Sequence, residues 1–199
     1  MRVCGFSCRF EFVVASTLVS LGALVPAADV SSAAARRFVL ESADPGLSTR
    51  FPDKYVLNDF GCTGGNASPP LRWNAAPPGT QSFVLTLFDM DEHNTPSGWW
   101  HWVVYDLPAD ARELHAGAGV VDSKALPPAA HQGRTDLGSD AYHGPCPDKG
   151  DPPHRYVFTL YALNVATLSV PSDPSGAMVV ASLKEHLLAK ATLVIRHGR

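Results

Sequence analysis

Two histidines stand where a glycine- and proline-rich loop meets the start of an apolar, strand-like segment. His101 lies in S-G-W-W-H-W-V-V, and His154 lies in G-D-P-P-H-R-Y. Two carboxylates, Asp89 and Asp91, end the apolar segment that precedes the first of them. Side chains at strand ends are held firmly by the sheet. Two imidazoles and two carboxylates that converge there would form a small, polar, preorganised pocket.

Such a pocket suits a small anion. A phosphate monoester needs hydrogen-bond donors and positive charge, and histidine supplies both near neutral pH if its pKa is held up. A carboxylate within about 4–6 Å of an imidazole favours the charged form, so Asp89 or Asp91 could play that part. The glycine-rich backbone near Gly144 can turn N–H groups towards an anion.

Purely structural roles are open for the same residues. Alternation along a strand would bury two of the three tryptophans Trp99, Trp100 and Trp102 in the core. The aspartates could instead cap a turn, and Asp91 is the better candidate for that role. Arg155 alternates away from His154 and is expected to form a structural ion pair.

The pattern of short apolar segments predicts a mainly β protein with one domain. Proline and glycine punctuate these segments, as is typical of a β-sandwich. Residues 117–138 lack periodicity and predict an extended surface loop, whereas residues 175–190 have helical spacing. Strands are predicted at 38–40, 55–57, 71–73, 82–88, 100–107, 156–163 and 191–195.

The first residues have the pattern of a secretory signal peptide. Arg2 and Arg9 give a basic start, an apolar run follows over 12–25, and small residues precede a cleavage point after Ala27. The interpretation is a signal peptide over 1–27, a disordered lead-in over 28–37 and a domain over 38–199, in a periplasmic or secreted protein. An uncleaved membrane anchor is the alternative. After cleavage no integral membrane segment is expected.

The net charge and the absence of certain motifs argue against several classes of function. The formal net charge is −3 and the basic residues are scattered, so no nucleic-acid partner is expected. An enzyme built on a metal or on a serine nucleophile is an alternative, but no H-x-x-x-H, H-E-x-x-H or G-x-S-x-G motif occurs. The sequence therefore predicts a protein that is not an enzyme, with no catalytic residues, no cofactor and no metal.

Two cysteines remain after the leader is removed. Cys4 and Cys8 lie within it, whereas Cys62 and Cys146 lie in glycine-rich loops of the domain. In an oxidising compartment this pair could form a disulfide. Two unpaired thiols are the open alternative, since the sequence does not give the distance between them.

Five blocks in order resemble one known family. Together they resemble the phosphatidylethanolamine-binding family, in its bacterial Raf-kinase-inhibitor-like branch, over about residues 38–196. The blocks are N-A-S-P-P-L-R-W (66–73), D-M-D (89–91), G-W-W-H-W-V-V (98–104), Q-G-R-T-D-L-G (132–138) and G-P-C-P-D-K-G-D-P-P-H-R-Y-V-F-T-L-Y-A-L (144–163).

The resemblance implies a sandwich of two antiparallel sheets with a helix near the C-terminus. It also implies a small pocket that accepts phosphate, acetate or a phosphoethanolamine head group. An exported protease or other exported enzyme, inhibited through the pocket face, is the alternative partner. The residues that match the family's pocket or its closing loop are Asp89, Asp91, Trp99, His101, Gly144, Cys146, Pro147, His154 and Tyr156.

The sequence departs from the family pattern at three positions. Met90 and His93 stand where the family usually has proline, which predicts a looser loop after Asp89. His93 could add a third imidazole near the pocket mouth. Asp148 also stands where many relatives have proline, and its carboxylate would disfavour an anion there.

Overall fold

The computed structural model describes Met1, Gly5 and residues 37–95 and 97–199. Almost all of the predicted signal peptide and of the predicted lead-in lies outside the described residues. Within the described residues, every helix is too short or too polar to cross a membrane.

Two antiparallel sheets make up the fold. The smaller has the order β1-β2-β5, with β1 at Val39–Ser42, β2 at Leu71–Asn74 and β5 at Glu113–Leu114. The larger has the order β6-β4-β3-β7-β8, and a short helix, α1, covers Gly176–Ala181. This confirms the predicted mainly β sandwich with a helix near the C-terminus. The strands of the larger sheet are β3 (Ser82–Asp89), β4 (Trp99–Pro108), β6 (His131–Gln132), β7 (His154–Leu163) and β8 (Leu187–His197).

Strand β3 lies at the centre of the larger sheet and is buried on both faces. Phe83, Leu85 and Leu87 pack in the main core with residues of the smaller sheet. Val84 points the other way, into a second cluster that includes Val179 of α1. Burial on two faces explains why this strand has an almost continuous apolar sequence.

The helix predicted over residues 175–190 is wrong in its extent. It ends at Ala181, and Ser182 follows it, where the hydroxyl donates to the carbonyl oxygen of Val179 (2.7 Å). Strand β8 then begins at Leu187 and pairs with the whole of β7. A ten-residue partner strand offers more backbone hydrogen bonds and burial than two and a half further helical turns, so tertiary pairing overrides the helical spacing.

The strand predicted at residues 55–57 is a 3₁₀ turn over Asp53–Tyr55 followed by extended chain. Its backbone groups pair with a loop rather than with a strand: Gly64 N–H donates to the carbonyl of Leu57 (2.9 Å), and Asn66 N–H to that of Val56 (2.8 Å). The apolar side chains here are buried as expected, but they anchor a loop that later forms one wall of a cleft.

Two smaller differences concern strand bounds. The first strand was predicted at 38–40 and runs over Val39–Ser42. The loop 117–138 contains β6, which pairs with Val104 and Tyr105 at the edge of β4. Two residues are too few to show a period of two, which is why the sequence does not reveal this strand.

Candidate functional site

Strand register gathers the predicted polar residues at one end of the larger sheet. Asp89, the last residue of β3, pairs with Trp99 on β4 and with Tyr156 on β7. His101 and His154 lie two residues from Trp99 and Tyr156 along the same strands. Because side chains alternate between faces, each histidine shares a face with its neighbour.

Asp89 and His154 form a buried pair. The Asp89 Oδ2 lies 2.8 Å from His154 Nδ1, and the two side chains are 2% and 4% exposed. Burial disfavours the imidazolium, but the hydrogen bond to Asp89 and its charge outweigh burial and raise the pKa of His154. Asp89 therefore fixes the orientation of this ring and, when the ring is neutral, keeps its proton on Nδ1.

Asp89 also caps the turn that follows β3. Its Oδ1 accepts the backbone N–H groups of Asp91 (2.9 Å) and Glu92 (3.1 Å). The turn-capping role considered for Asp91 thus belongs to Asp89. One buried carboxylate thus holds both His154 and the start of this turn.

His101 is held differently. Its Nδ1 lies 2.9 Å from the carbonyl oxygen of His143, whose N–H donates back to the His101 carbonyl (2.9 Å). Burial lowers the pKa of His101 and outweighs the nearby Asp89 charge and the hydrogen bond to His143. At neutral pH the ring is uncharged, with its proton on Nδ1. Its Nε2 has a free lone pair and no hydrogen-bond partner among the described residues.

A cleft of about 270 Å³ opens above His101. Burial, the charge of Asp89 and a hydrogen bond to Asp89 raise the pKa of Tyr156, which therefore keeps its hydroxyl proton. The cleft combines apolar walls with three carboxylates. The residues that line it are Leu57, Phe60, Asp89, Glu92, Asn94, Trp99, His101, Leu137, His143, Gly144, Cys146, Asp148 and Tyr156.

The wall at Gly144 depends on a close approach of two backbones. A Cβ at this position would lie 2.2 Å from the carbonyl oxygen of Tyr55, so a side chain cannot fit without moving the chain. The Gly144 N–H donates to Asn66 Oδ1 (2.8 Å), which fixes the same segment from the other side. Asn66 itself adopts φ +48°, a conformation that asparagine tolerates better than most residues.

Cys62 and Cys146 are joined by a disulfide in the structure, with their Cα atoms 6.0 Å apart. The bond ties the loop that contains Phe60 to the segment after Gly144. Cys146 and Phe60 both line the cleft, so the disulfide connects two of its walls.

Three of the predicted site residues do not line the cleft: Asp91, Pro147 and His154. Asp91 forms an ion pair with Arg155, with Nη2 to Oδ1 at 2.6 Å and Nε to Oδ2 at 2.8 Å. The hydrogen bonds from Arg155 lower the pKa of Asp91 to about 2. This pair, expected for Arg155 from its alternation, joins the loop after β3 to the start of β7.

Sequence reasoning gave no site role to several cleft residues, of which His143 matters most. Its carbonyl orients His101, its Nε2 lies 2.6 Å from Ser139 Oγ, and burial lowers its pKa. His143 lies in H-G-P-C-P, one residue before the fifth block of the resemblance begins. Asn66 opens the first block, but nothing in the sequence shows which backbone N–H it accepts.

Comparison of the chain with known proteins identifies its family. A family model described as "Phosphatidylethanolamine-binding protein" matches residues 47–197. The chain belongs to this family. The UPF0098 protein YbcL of Escherichia coli is 41% identical over 162 residues, which cover 81% of this chain and 88% of YbcL. YbhB of the same organism is 45% identical over 146 residues, which cover 72% of this chain and 89% of YbhB.

Solved structures of phosphatidylethanolamine-binding family members agree with the fold. The crystal structure of E. coli YbcL matches with a TM-score of 0.77 at 40% identity, covering 81% of this chain and 98% of that one. A homologue from Chlamydia trachomatis matches with a TM-score of 0.65 at 30% identity, covering 81% and 97%. The two-sheet sandwich is thus common to family members from different bacteria.

Proposed function

We propose that the chain is an exported, non-catalytic binding protein whose cleft holds a phosphoethanolamine-type head group, as the monoanion of its phosphate. The observation that supports this most directly is the unpartnered Nε2 of His101, placed in the same cleft as the Tyr156 hydroxyl. The nitrogen can accept a hydrogen bond, and the hydroxyl can exchange its hydrogen bond to Asp89 for one to a ligand. A phosphate monoester monoanion, with one P–OH and several acceptor oxygens, matches both.

The charge of the cleft supports the monoanion over the dianion. His101 is neutral because burial lowers its pKa, so it offers no fixed positive charge. Asp89 and Glu92 add carboxylates to the lining. A second negative charge on the ligand would be repelled unless a proton accompanied it, shared between a phosphate oxygen and His101 Nε2.

The acidic rim supports a ligand that also carries an amine. Glu92 and Asp148 line the cleft, and Asp148 is solvent-exposed. Carboxylates repel free phosphate but attract the ammonium of phosphoethanolamine. The same residues that count against a simple anion site therefore favour a zwitterionic head group.

His101→Ala is expected to weaken phosphoethanolamine binding by about 1.5–3 kcal/mol, the contribution of a hydrogen bond to a charged group. Above the second phosphate pKa, near 6, the free ligand is a dianion, so binding must take up a proton. Wild-type affinity should therefore fall by up to about tenfold per pH unit as the pH rises from 6 to 8. Calorimetry in two buffers of different ionisation enthalpy measures both the affinity and the proton uptake.

The matched control for this measurement is His115→Ala, since His115 is exposed and contacts only Glu113 (3.7 Å) among the described charged residues. It should bind as the wild type does. Equal affinity for wild type and His101→Ala, or binding without proton uptake at pH 8, would refute the role given to His101.

Head-group selectivity is a separate prediction. Wild-type protein should bind phosphoethanolamine more tightly than inorganic phosphate, because the rim carboxylates attract its amine. The double variant Glu92→Gln, Asp148→Asn should lose most of this preference while it binds phosphate more tightly. Competition between the two ligands, followed by ³¹P NMR, measures the ratio. An unchanged ratio in the double variant would show that the rim does not select the amine.

A further inference from the structure

A group of metal-ligand atoms lies beside the cleft, outside its lining. His93 Nε2, Asp151 Oδ2 and His154 Nε2 come from the loop after β3 and from the start of β7. Their ligand atoms all lie within 4.8 Å of one another. Asp151 Oδ2 is 3.6 Å from His154 Nε2 and 3.9 Å from His93 Nε2.

His154 is already prepared as a metal ligand. Its Nδ1 is hydrogen-bonded to Asp89 Oδ2, so the neutral ring has its proton on Nδ1 and offers the lone pair of Nε2 to a metal ion. The side chain is 4% exposed, and Nε2 has no hydrogen-bond partner among the described residues. A carboxylate that binds the far nitrogen of a ligating histidine is a recurrent device in metal sites, since it fixes the ring and increases its basicity.

Asp151 supplies a second observation at the same place. Its Oδ2 is buried and makes no hydrogen bond with any described residue, although it faces two imidazole nitrogens. A buried carboxylate oxygen without a donor is costly. A cation bound between Asp151, His93 and His154 would remove that cost.

Spacing and ligand type indicate which cations fit. Ligand atoms around tetrahedral zinc, at bonds of 2.0–2.1 Å, lie about 3.3 Å apart. The two separations from Asp151 Oδ2, 3.6 and 3.9 Å, are somewhat longer, and the two imidazole nitrogens lie within 4.8 Å of each other. The His93 side chain is 64% exposed and is free to move inwards. Two imidazoles and one carboxylate suit zinc and neighbouring first-row ions rather than calcium or magnesium.

We propose that His93, Asp151 and His154 bind one divalent transition-metal ion, with zinc as the probe, and leave one coordination position open. The sequence predicts no metal because its histidines lack short ligand spacing; here 58 or more residues separate His93 from the other two ligands, and the sheet brings them together. His93 stands where proline is usual in the resembling sequences, so the site is a property of this chain. It does not depend on the proposed head-group ligand.

The test is zinc titration of the full chain without an affinity tag. We expect wild type to bind one more zinc ion per chain than His93→Ala, or to bind it at least tenfold more tightly. His93 is exposed, so this substitution should leave the fold intact. Asp151→Asn should weaken zinc binding in the same way. The exposed control His115→Ala should match wild type, and the leader cysteines, present in every variant, cancel in the comparison.

Cobalt provides a second readout. Co²⁺ bound by these three ligands and water should give visible absorption bands typical of four-coordinate nitrogen and oxygen sites, and His93→Ala should lose them. Equal zinc stoichiometry and affinity for wild type, His93→Ala and His115→Ala would overturn the proposal. Absence of zinc binding by wild type would overturn it too, and would leave the cluster as a plain histidine–aspartate contact.

Discussion

Asp89→Ala is expected to lower the free energy of unfolding by about 3–5 kcal/mol, the scale of breaking one side of a buried charge pair. The substitution leaves His154 Nδ1 and the backbone N–H groups of Asp91 and Glu92 without their acceptor. Each buried donor that loses its partner is costly, and these three lie close together. Denaturant unfolding followed by tryptophan fluorescence measures the change.

Two comparisons make this result interpretable. Asp89→Asn keeps one acceptor oxygen and the volume of the side chain, so it should be less destabilising than Asp89→Ala. Asp110→Ala removes an exposed aspartate and should change stability by less than about 0.5 kcal/mol. If Asp89→Ala were no more destabilising than Asp110→Ala, Asp89 would not organise this end of the sheet.

Loss of the disulfide is expected to lower the free energy of unfolding by about 2–4 kcal/mol, because Cys62 and Cys146 close a long loop, 84 residues apart in sequence. The double variant Cys62→Ser, Cys146→Ser should also bind phosphoethanolamine more weakly, since the bond joins two walls of the cleft. Unfolding measured with and without reductant, together with calorimetry, tests both effects.

The double variant provides its own control. Reductant should destabilise wild type towards the stability of the double variant and should leave the double variant unchanged. Free thiols at both positions in protein taken from the exported fraction, found by non-reducing peptide mapping, would contradict a bridge in the native protein.

The strands that position the site could be predicted from the sequence because their apolar patterns are long. Residues 82–88 and 156–163 coincide with β3 and β7 to within two residues. The helix over 175–190 was overextended because Val179 and Leu183 have helical spacing, while the partner that draws the next residues into β8 is distant in sequence. The spacing of apolar residues within a short segment carries no information about the pairing of β7 with β8.

The sequence indicates which residues come together at the cleft but not the protonation states that packing gives them. Asp89, Trp99, His101 and Tyr156 meet in the cleft, but the histidine whose pKa Asp89 raises is His154, which does not line the cleft. His101 is neutral because it is buried, and burial is a property of the packed fold that a chain position does not reveal.

The central claim is that the cleft over His101 binds a phosphomonoester head group. A crystal structure with phosphoethanolamine tests it most directly. We expect one ligand per chain, with a phosphate oxygen within hydrogen-bond distance of His101 Nε2 and another near the Tyr156 hydroxyl, and with the amine directed towards Glu92 or Asp148. Ligand bound elsewhere, or a phosphate that contacts neither His101 nor Tyr156, would contradict the account.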